Sequence, residues 1–158
     1  MIHLEAINSE NVWKVCNLKV ATNQLDFVAT NQQSIIEAYT TIIRNKIALP
    51  FAIKYNDTIV GFCMIGYDTI DDEDPKIAAD SYFLWRFMID ENYQGKGYGK
   101  QALDVIIDYI KTRPSGPAQS CWLSYEPENE GARHLYSTFG FIETGEICSD
   151  EIVSVISL

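Results

Sequence analysis

The sequence predicts a mixed α/β (α+β) fold in which helices flank a central, mostly antiparallel sheet. The predicted elements run in the order βααββ, then βα, then βαββ, so strands and helices alternate along the whole chain. Hydrophobic residues make up 47% of the composition, which is enough to fill a core under such a sheet. At 158 residues the chain has the length of one domain, 1–158.

The first third of the chain predicts one strand and two amphipathic helices. Ile2–Ala6 is a strand candidate, and Ser9 is the expected N-cap of a helix with apolar residues at Val12, Trp13, Val15, Cys16 and Val20. A second helix is expected after Asn31 and before Pro50, from apolar residues at three- and four-residue spacing: Ile35, Ile36, Tyr39, Ile42, Ile43 and Ile47. Trp13, like Trp122 later in the chain, is expected in the core.

The sheet is predicted to continue with a hairpin. Phe51–Tyr55 and Thr58–Ile65 are rich in β-branched and aromatic residues and flank Asn56-Asp57, a pair typical of tight turns. Asp68–Pro75 is too polar and too acidic for a strand interior, so we expect a loop there.

The second half predicts a strand that leads into a helix through glycines. Tyr82–Ile89 is the strand, Tyr93–Lys100 is the glycine-rich turn, and a helix ending before Pro114 buries Ala102, Leu103, Ile106, Ile107 and Ile110. The remaining predicted elements are strand Ser120–Tyr125, helix Asn129–Phe139 with Asn129 as cap, and strands Phe141–Cys148 and Ile152–Ile156.

The charge balance favours a cationic ligand. There are 12 basic and 22 acidic residues, a formal net charge of −10. Such a surface repels phosphate backbones and anionic membranes, so neither nucleic acid nor a membrane is an expected partner.

The cysteines and the N-terminus indicate no special site. Cys16, Cys63, Cys121 and Cys148 are far apart with no histidine cluster, so we expect reduced cysteines and no metal. The first residues lack the basic start and apolar run of a signal peptide, and no run of about 18 apolar residues suggests a membrane span. The expected location is cytoplasmic.

The turn Gln94–Lys100 predicts an anion-binding site, with a simple turn and helix start as the alternative. Its glycines allow backbone N–H groups to point outward at the start of a helix, where the helix dipole favours negative charge. A P-loop is excluded because Gly-Lys-Ser/Thr is absent, and the dinucleotide fingerprint is excluded because position 100 is Lys rather than Gly.

At this point the chain resembles the GNAT superfamily of N-acetyltransferases. Gln94, Gly97 and Gly99 match the family pattern Gln/Arg-x-x-Gly-x-Gly/Ala between a strand and a helix. A second family feature is matched about 35 residues later by Asn129, Tyr136 and the run Phe139-Gly140-Phe141. The resemblance covers nearly the whole chain and implies acetyl-CoA as cosubstrate, with no metal. The family is often dimeric, which makes a homodimer an expectation here too.

The resemblance also implies a role for each matched residue. Acetyl-CoA is expected to bind at Phe87, Met88, Ile89, Gln94, Gly95, Lys96, Gly97, Tyr98, Gly99, Lys100 and Asn129. The central strand of the family splays from the next strand, so Phe87–Ile89 would offer unpaired N–H groups. Tyr136 would protonate the CoA sulfur, or else pack under the sheet. Asn129 would bond the pantetheine chain or only cap its helix.

Within the superfamily the chain looks most like bacterial spermine/spermidine acetyltransferases, through Phe83–Asp90 and the turn that follows. The expected acceptor is therefore a small polycationic amine, bound by Asp72, Glu73, Asp74, Asp80, Tyr82 and Trp85. The alternatives are a solvated acidic loop, aromatic residues that belong to the core, a protein or peptide acceptor, or a module that binds acyl-CoA without turnover.

A general base is not evident from the sequence. Some family members carry a Glu on the central strand, but Tyr82–Ile89 contains no carboxylate. The options that remain for accepting the proton are Asp80, a water chain to the acidic loop, and direct proton loss to solvent.

Overall fold

A single seven-stranded sheet runs through the protein, with helices on both of its faces. The computed structural model describes residues 1–158. The strands are β1 (Ile2–Ala6), β2 (Ile47–Tyr55), β3 (Thr58–Tyr67), β4 (Tyr82–Ile89), β5 (Ser120–Tyr125), β6 (Ile142–Cys148) and β7 (Glu151–Ser157). The helices are α1 (Val12–Cys16), α2 (Asn31–Ile42), α3 (Tyr98–Lys111) and α4 (Glu130–Thr138). None of these helices is long and apolar enough to cross a membrane.

The sheet is mixed and mostly antiparallel, as predicted. Its strand order is β1-β2-β3-β4-β5-β7-β6, and every neighbouring pair is antiparallel except β4 and β5. The parallel β4–β5 pairing holds only at Tyr82↔Cys121 and Phe83↔Trp122. Beyond Phe83 the two strands diverge, so an opening forms in the middle of the sheet.

Side-chain alternation along the strands divides the core between the two faces. Ile53 and Ile65 belong to the larger cluster, which includes α3 and Tyr136. Their neighbours Ala52 and Met64 belong to the smaller cluster, beside Val15 of α1 and Ala38 of α2. Because successive strand residues point to opposite faces, strands β2, β3 and β4 each contribute to both clusters.

The α3 face agrees with the sequence prediction. The five residues expected to face inward are the five that α3 buries: Ala102, Leu103, Ile106, Ile107 and Ile110. Asn129 caps α4 as predicted, since its side chain accepts a hydrogen bond from the backbone N–H of Ala132. Strand β4 has the predicted bounds.

The α1 prediction was wrong in its start and end. Asn11 rather than Ser9 precedes the helix, because the Asn8 side chain accepts from the N–H groups of Glu10 and Asn11 and holds them in a turn. The helix ends at Cys16, so Val20 lies outside it. Trp13 is 70% exposed, not in the core, whereas Trp122 is buried as expected.

The α2 prediction was wrong about which side is buried. The helix ends at Ile42, and Ile47 and Pro50 belong to β2. The residues that α2 buries are Asn31, Ser34 and Ala38. The residues it leaves more than half exposed include Ile36, Tyr39 and Ile42. Small and polar side chains bring α2 close to the sheet, so the bulky stripe turns outward.

Candidate functional site

The opening between β4 and β5 forms a cleft of about 800 Å³. Strand β4 forms its floor from Phe83 to Ile89, and residues 24–29 cover one side. The other side is lined by residues of β5, α4 and the start of β7: Trp122, Ser124, Tyr125, Glu126, Asn129, Gly131, Ala132, Leu135, Tyr136 and Glu151. The cleft therefore brings together chain segments that are distant in sequence.

Strand β4 presents unpaired backbone groups to this cleft. The N–H of Asp90 donates to the carbonyl of Val60 at 2.9 Å, and Met88 pairs with Phe62 in the same ladder. Because backbone groups alternate in direction along a strand, the N–H groups of Phe87 and Ile89 point away from β3, toward the opening. Of the three residues predicted to offer N–H groups, Met88 instead uses its backbone in the sheet.

The glycine turn leaves a helix start without a cap. Gly95 and Gly97 have positive φ angles of 73° and 78°, a conformation that residues with a Cβ atom rarely adopt. Gly97 is the N-cap of α3, and no side chain accepts a hydrogen bond from the first N–H groups of the helix. The first helical bond runs from Gln101 N–H to Gly97, so the N–H groups of residues 98–100 are free.

The surroundings of these free N–H groups favour an anion. The first turn of α3 has no acidic residue. Lys96 donates to the carbonyl of Asn92 and lies 5.3 Å from the centre of the Tyr93 ring, and Lys100 is exposed at the helix start. The helix dipole and the lysines together give this turn a positive potential in an acidic protein.

Gln94 connects the turn to the floor of the cleft. Its side-chain amide donates to the carbonyl of Ile89 and to Oε1 of Gln24, both at 2.8 Å. The bond to Ile89 satisfies a carbonyl that faces the opening and has no strand partner there.

Tyr136 is the hydroxyl-bearing residue of α4 that reaches the cleft. Its ring packs against Tyr125 and Phe141 at centroid distances of 5.9 and 5.7 Å, and its hydroxyl has no hydrogen-bond partner in the protein. Burial raises the pKa of Tyr136 well above its usual range, so the phenol stays protonated. A buried, free phenol at a cleft can donate a proton to a bound molecule.

A salt bridge fixes the helix that carries Tyr136. Arg133 contacts both carboxylate oxygens of Glu143, at 2.6 and 2.9 Å, and the Tyr125 hydroxyl donates to the same carboxylate at 2.9 Å. These contacts join α4 to β5 and β6. Asn129 uses its Oδ1 as the helix cap, which leaves its side-chain amide donor free beside the cleft.

The sequence profile of the Acetyltransferase (GNAT) family matches residues 17–141 of this chain. The chain belongs to the GNAT acetyltransferase family. It is 32% identical to the spermine/spermidine N(1)-acetyltransferase of Bacillus subtilis (strain 168) over 146 residues, which cover 92% of this chain and 91% of the relative. Enzymes of this family use acetyl-CoA as acyl donor.

Solved structures support the fold of this GNAT acetyltransferase. Spermidine N-acetyltransferase from Vibrio cholerae, solved with CoA and spermine, aligns with a TM-score of 0.71 at 19% identity over 99% of this chain and 95% of that one. Aminoglycoside acetyltransferase AAC(6')-Ib, solved with coenzyme A, aligns with a TM-score of 0.78 at 13% identity, with the same coverage. At these identities the likeness shows the fold alone.

The GNAT cleft contains only two of the six predicted acceptor residues. Asp74 and Trp85 line it. Asp72, Glu73 and Asp80 are exposed outside it.

Tyr82 does not line the cleft. It is fully buried and packs against Tyr67, and its hydroxyl accepts from the N–H groups of Ser115 and Gly116 and donates to the Gly116 carbonyl. Tyr82 is two positions from Leu84, so both side chains point to the α3 face.

Sequence reasoning missed three other carboxylates of the GNAT cleft: Asp26, Glu126 and Glu151. Asp26 precedes α2, and Glu151 opens β7, so neither is near a motif. Glu126 follows directly after β5 and lies three residues before Asn129. That position could have been recognised, because the carboxyl end of β5 borders the predicted opening.

The charge of Glu126 acts on Glu151, another carboxylate of the cleft. Burial and the nearby charge of Glu126 raise the pKa of Glu151, while Arg86 and a hydrogen bond with Ser124 oppose the shift. Burial also raises the pKa of Asp74, and a hydrogen bond from the Asp71 backbone opposes that shift. A cation placed between these carboxylates would stabilise their charged forms.

Aromatic rings form the wall beside these carboxylates. The rings of Phe83 and Trp122 stack at 3.8 Å with an interplanar angle of 3°, and Trp85 lies next to Phe83 at 6.0 Å. Arg86 lies 5.8 Å from the Trp85 ring, and its guanidinium is paired with Glu37 of α2 at 3.0 Å. No group of His, Cys, Asp and Glu in the protein could hold a metal ion.

Proposed function

We propose that this GNAT protein is an acetyl-CoA-dependent N-acetyltransferase whose acceptor is a small polycationic amine, such as spermidine or spermine. One observation carries the proposal: a single cleft combines hydrogen-bond donors with carboxylates and aromatic rings. The donors suit a thioester and its pyrophosphate, and we call the residues that carry them the donor side. The carboxylates and rings suit ammonium groups joined by methylene chains, and we call them the acceptor side.

The glycine turn fits the diphosphate of acetyl-CoA. Residues 98–100 offer free N–H groups, and the open space around Gly95 and Gly97 lets a phosphate approach the backbone. A residue with a Cβ atom at position 97 would have to adopt a strained φ angle. Lys96 and Lys100 add positive charge.

Strand β4 and Tyr136 supply the groups that acyl transfer needs. Acetyl-CoA provides an acetyl group activated as a thioester. The N–H groups of Phe87 and Ile89 can bond to the carbonyl oxygen as negative charge develops on it. Tyr136, held neutral by its raised pKa, can protonate the sulfur as the amide bond forms and the carbon–sulfur bond breaks.

The acceptor side fits a linear polyamine. Asp26, Asp74, Glu126 and Glu151 give the cleft a negative potential, and the rings of Phe83, Trp85 and Trp122 offer apolar surface for methylene groups. The one guanidinium here, that of Arg86, is paired with Glu37. The Glu126–Glu151 pair also provides a proton acceptor for the attacking amine, which strand β4 lacks.

A thiol-release assay with a panel of acceptors tests this proposal. Spermidine and spermine should release CoA faster than butylamine, kanamycin, free amino acids or a basic peptide, and mass spectrometry should find one acetyl group on the polyamine. If kanamycin or the peptide is used and polyamines are not, the polyamine assignment fails. If no amine releases CoA, the catalytic proposal fails as well.

A further inference from the structure

The segment between α1 and α2, residues 17–30, crosses the carboxyl end of β4, and we call it the strap. The N–H of Lys19 donates to Oδ2 of Asp90 at 2.9 Å, and the carbonyl of Lys19 accepts from Glu91 at 2.7 Å. Further along, residues 24–29 line the cleft. The strap is thus attached to the end of β4 at one point and lines the cleft at another, where it contributes Asp26 to the cleft carboxylates.

Gln24 makes a second attachment, directly to the glycine turn. Its Oε1 accepts from the Gln94 amide, whose other proton goes to the carbonyl of Ile89. Both protons of that amide are therefore used, and the orientation of Gln94 is fixed from two sides. The bond joins residues 70 positions apart in the chain.

We infer that Gln24 is a positioning residue that couples the donor side of the cleft to its acceptor side. This inference rests on the proposed binding of acetyl-CoA at the turn. Acetyl-CoA that contacts the Ile89 peptide and the turn would keep Gln94 in place. Gln94 then positions Gln24, and Gln24 positions the strap residues that line the cleft. By thermodynamic linkage, a bound acceptor then also strengthens donor binding by the same factor.

The expected size of the coupling is that of one hydrogen bond between uncharged groups. Such a bond contributes enough to change a binding constant roughly 2- to 10-fold. Gln24 lies near the surface, so its loss should leave the sheet and its core intact.

Hydrogen exchange of the strap, with CoA as the probe, tests the inference without requiring turnover. In the parent protein, saturating CoA should slow exchange of the amides of residues 25–29 roughly 3- to 10-fold. Gln24→Met keeps the side-chain length but loses the acceptor, so it should lose this protection. Gln24→Glu still accepts from Gln94 and should restore it, and Asn23→Ala, at an exposed neighbour without a side-chain bond, should behave as the parent.

Kinetics give the second readout. With saturating acetyl-CoA, Gln24→Met should raise the spermidine KM about 3- to 10-fold while kcat changes less than about twofold. If CoA protects the strap equally in Gln24→Met and the parent, and KM is unchanged, the coupling is disproved while the proposed function stands. If the parent binds no CoA in a calorimetric titration, the proposed function fails and the coupling fails with it.

Discussion

The two faces of the sheet are packed in different ways. On one face α3 buries five aliphatic or alanine side chains in an apolar stripe along its 14 residues. On the other face α2 buries Asn31, Ser34 and Ala38 and leaves Ile36, Tyr39 and Ile42 more than half exposed. The Asn31 side-chain amide donates a hydrogen bond to the Val15 carbonyl, so a polar contact connects α1 to α2.

The two differently packed faces adjoin different parts of the cleft. The glycine turn and Tyr136 adjoin the α3 face, which is packed by many large side chains, and the strap adjoins the α2 face. Dense aliphatic packing restricts movement of the groups that would hold acetyl-CoA. The α2 face depends on fewer and more polar contacts, so the acceptor side can change with less cost to the core.

The largest expected effect is on turnover and comes from the donor side. Tyr136→Phe removes one proton donor and keeps the ring, so kcat should fall roughly 10- to 1000-fold while CoA affinity stays within about threefold. Tyr39→Phe, an exposed tyrosine on α2, is the matched control and should not change kcat. Equal turnover in Tyr136→Phe and the parent would return Tyr136 to a packing role.

A second donor-side variant tests the turn itself. Gly97→Asp places a negative charge and a strained φ angle where phosphate is expected, and acetyl-CoA affinity should fall at least about 30-fold. Gly145→Asp carries the same charge at a φ of 85° in an exposed, distant position and should keep affinity. Calorimetry of both variants, with circular dichroism to check folding, would refute the site if they bind alike.

An acceptor-side aromatic residue should have a smaller effect. Trp85→Leu removes ring surface from the cleft and should raise the spermidine KM about 3- to 10-fold with little change in the acetyl-CoA KM. Trp13→Leu removes a ring that is 70% exposed elsewhere and serves as control. A rise in the acetyl-CoA KM of Trp85→Leu instead would mean that the two sides of the cleft are not separable.

The smallest effect concerns stability and its pH dependence. Because the pKa of Glu151 is raised in the folded protein, its ionised carboxylate lowers the free energy of unfolding at pH values above the ordinary carboxyl range. Glu151→Gln should therefore raise Tm by about 1–3 °C near pH 8 and lose that advantage near pH 4, where the parent carboxyl is protonated. A lower Tm for the variant at pH 8 would show that the charge is stabilising.

The sequence was sufficient to predict the α3 face, the glycine turn that precedes it and the Asn129 cap. Those parts depend on local patterns: helical spacing, a glycine turn and a cap at Asn129. The buried side of α2 could not be predicted, because hydrophobic spacing favours the bulky isoleucines and close packing against the sheet selects Ser34 and Ala38 instead.

The grouping of carboxylates in the cleft depends on topology rather than on local pattern. Glu126 and Glu151 are 25 positions apart and meet because β7 inserts between β5 and β6 in the sheet. The prediction of acceptor-binding residues relied on the dense acidic run at 71–74, but only Asp74 of that run lines the cleft. A motif therefore predicted the glycine turn, whereas the grouping of carboxylates in the cleft required the strand order.

The kinetics of two charge-matched double variants test the division of the cleft most directly. Glu126→Gln with Glu151→Gln and Asp72→Asn with Glu73→Gln each remove two negative charges, but only the first pair lines the cleft. The first variant should raise the spermidine KM about 10-fold or more and weaken its salt dependence, with the acetyl-CoA KM unchanged, and the second should match the parent within about twofold. Equal spermidine KM values for the two variants, or a matching rise in the acetyl-CoA KM of the first, would contradict a separate acceptor side built from Glu126 and Glu151.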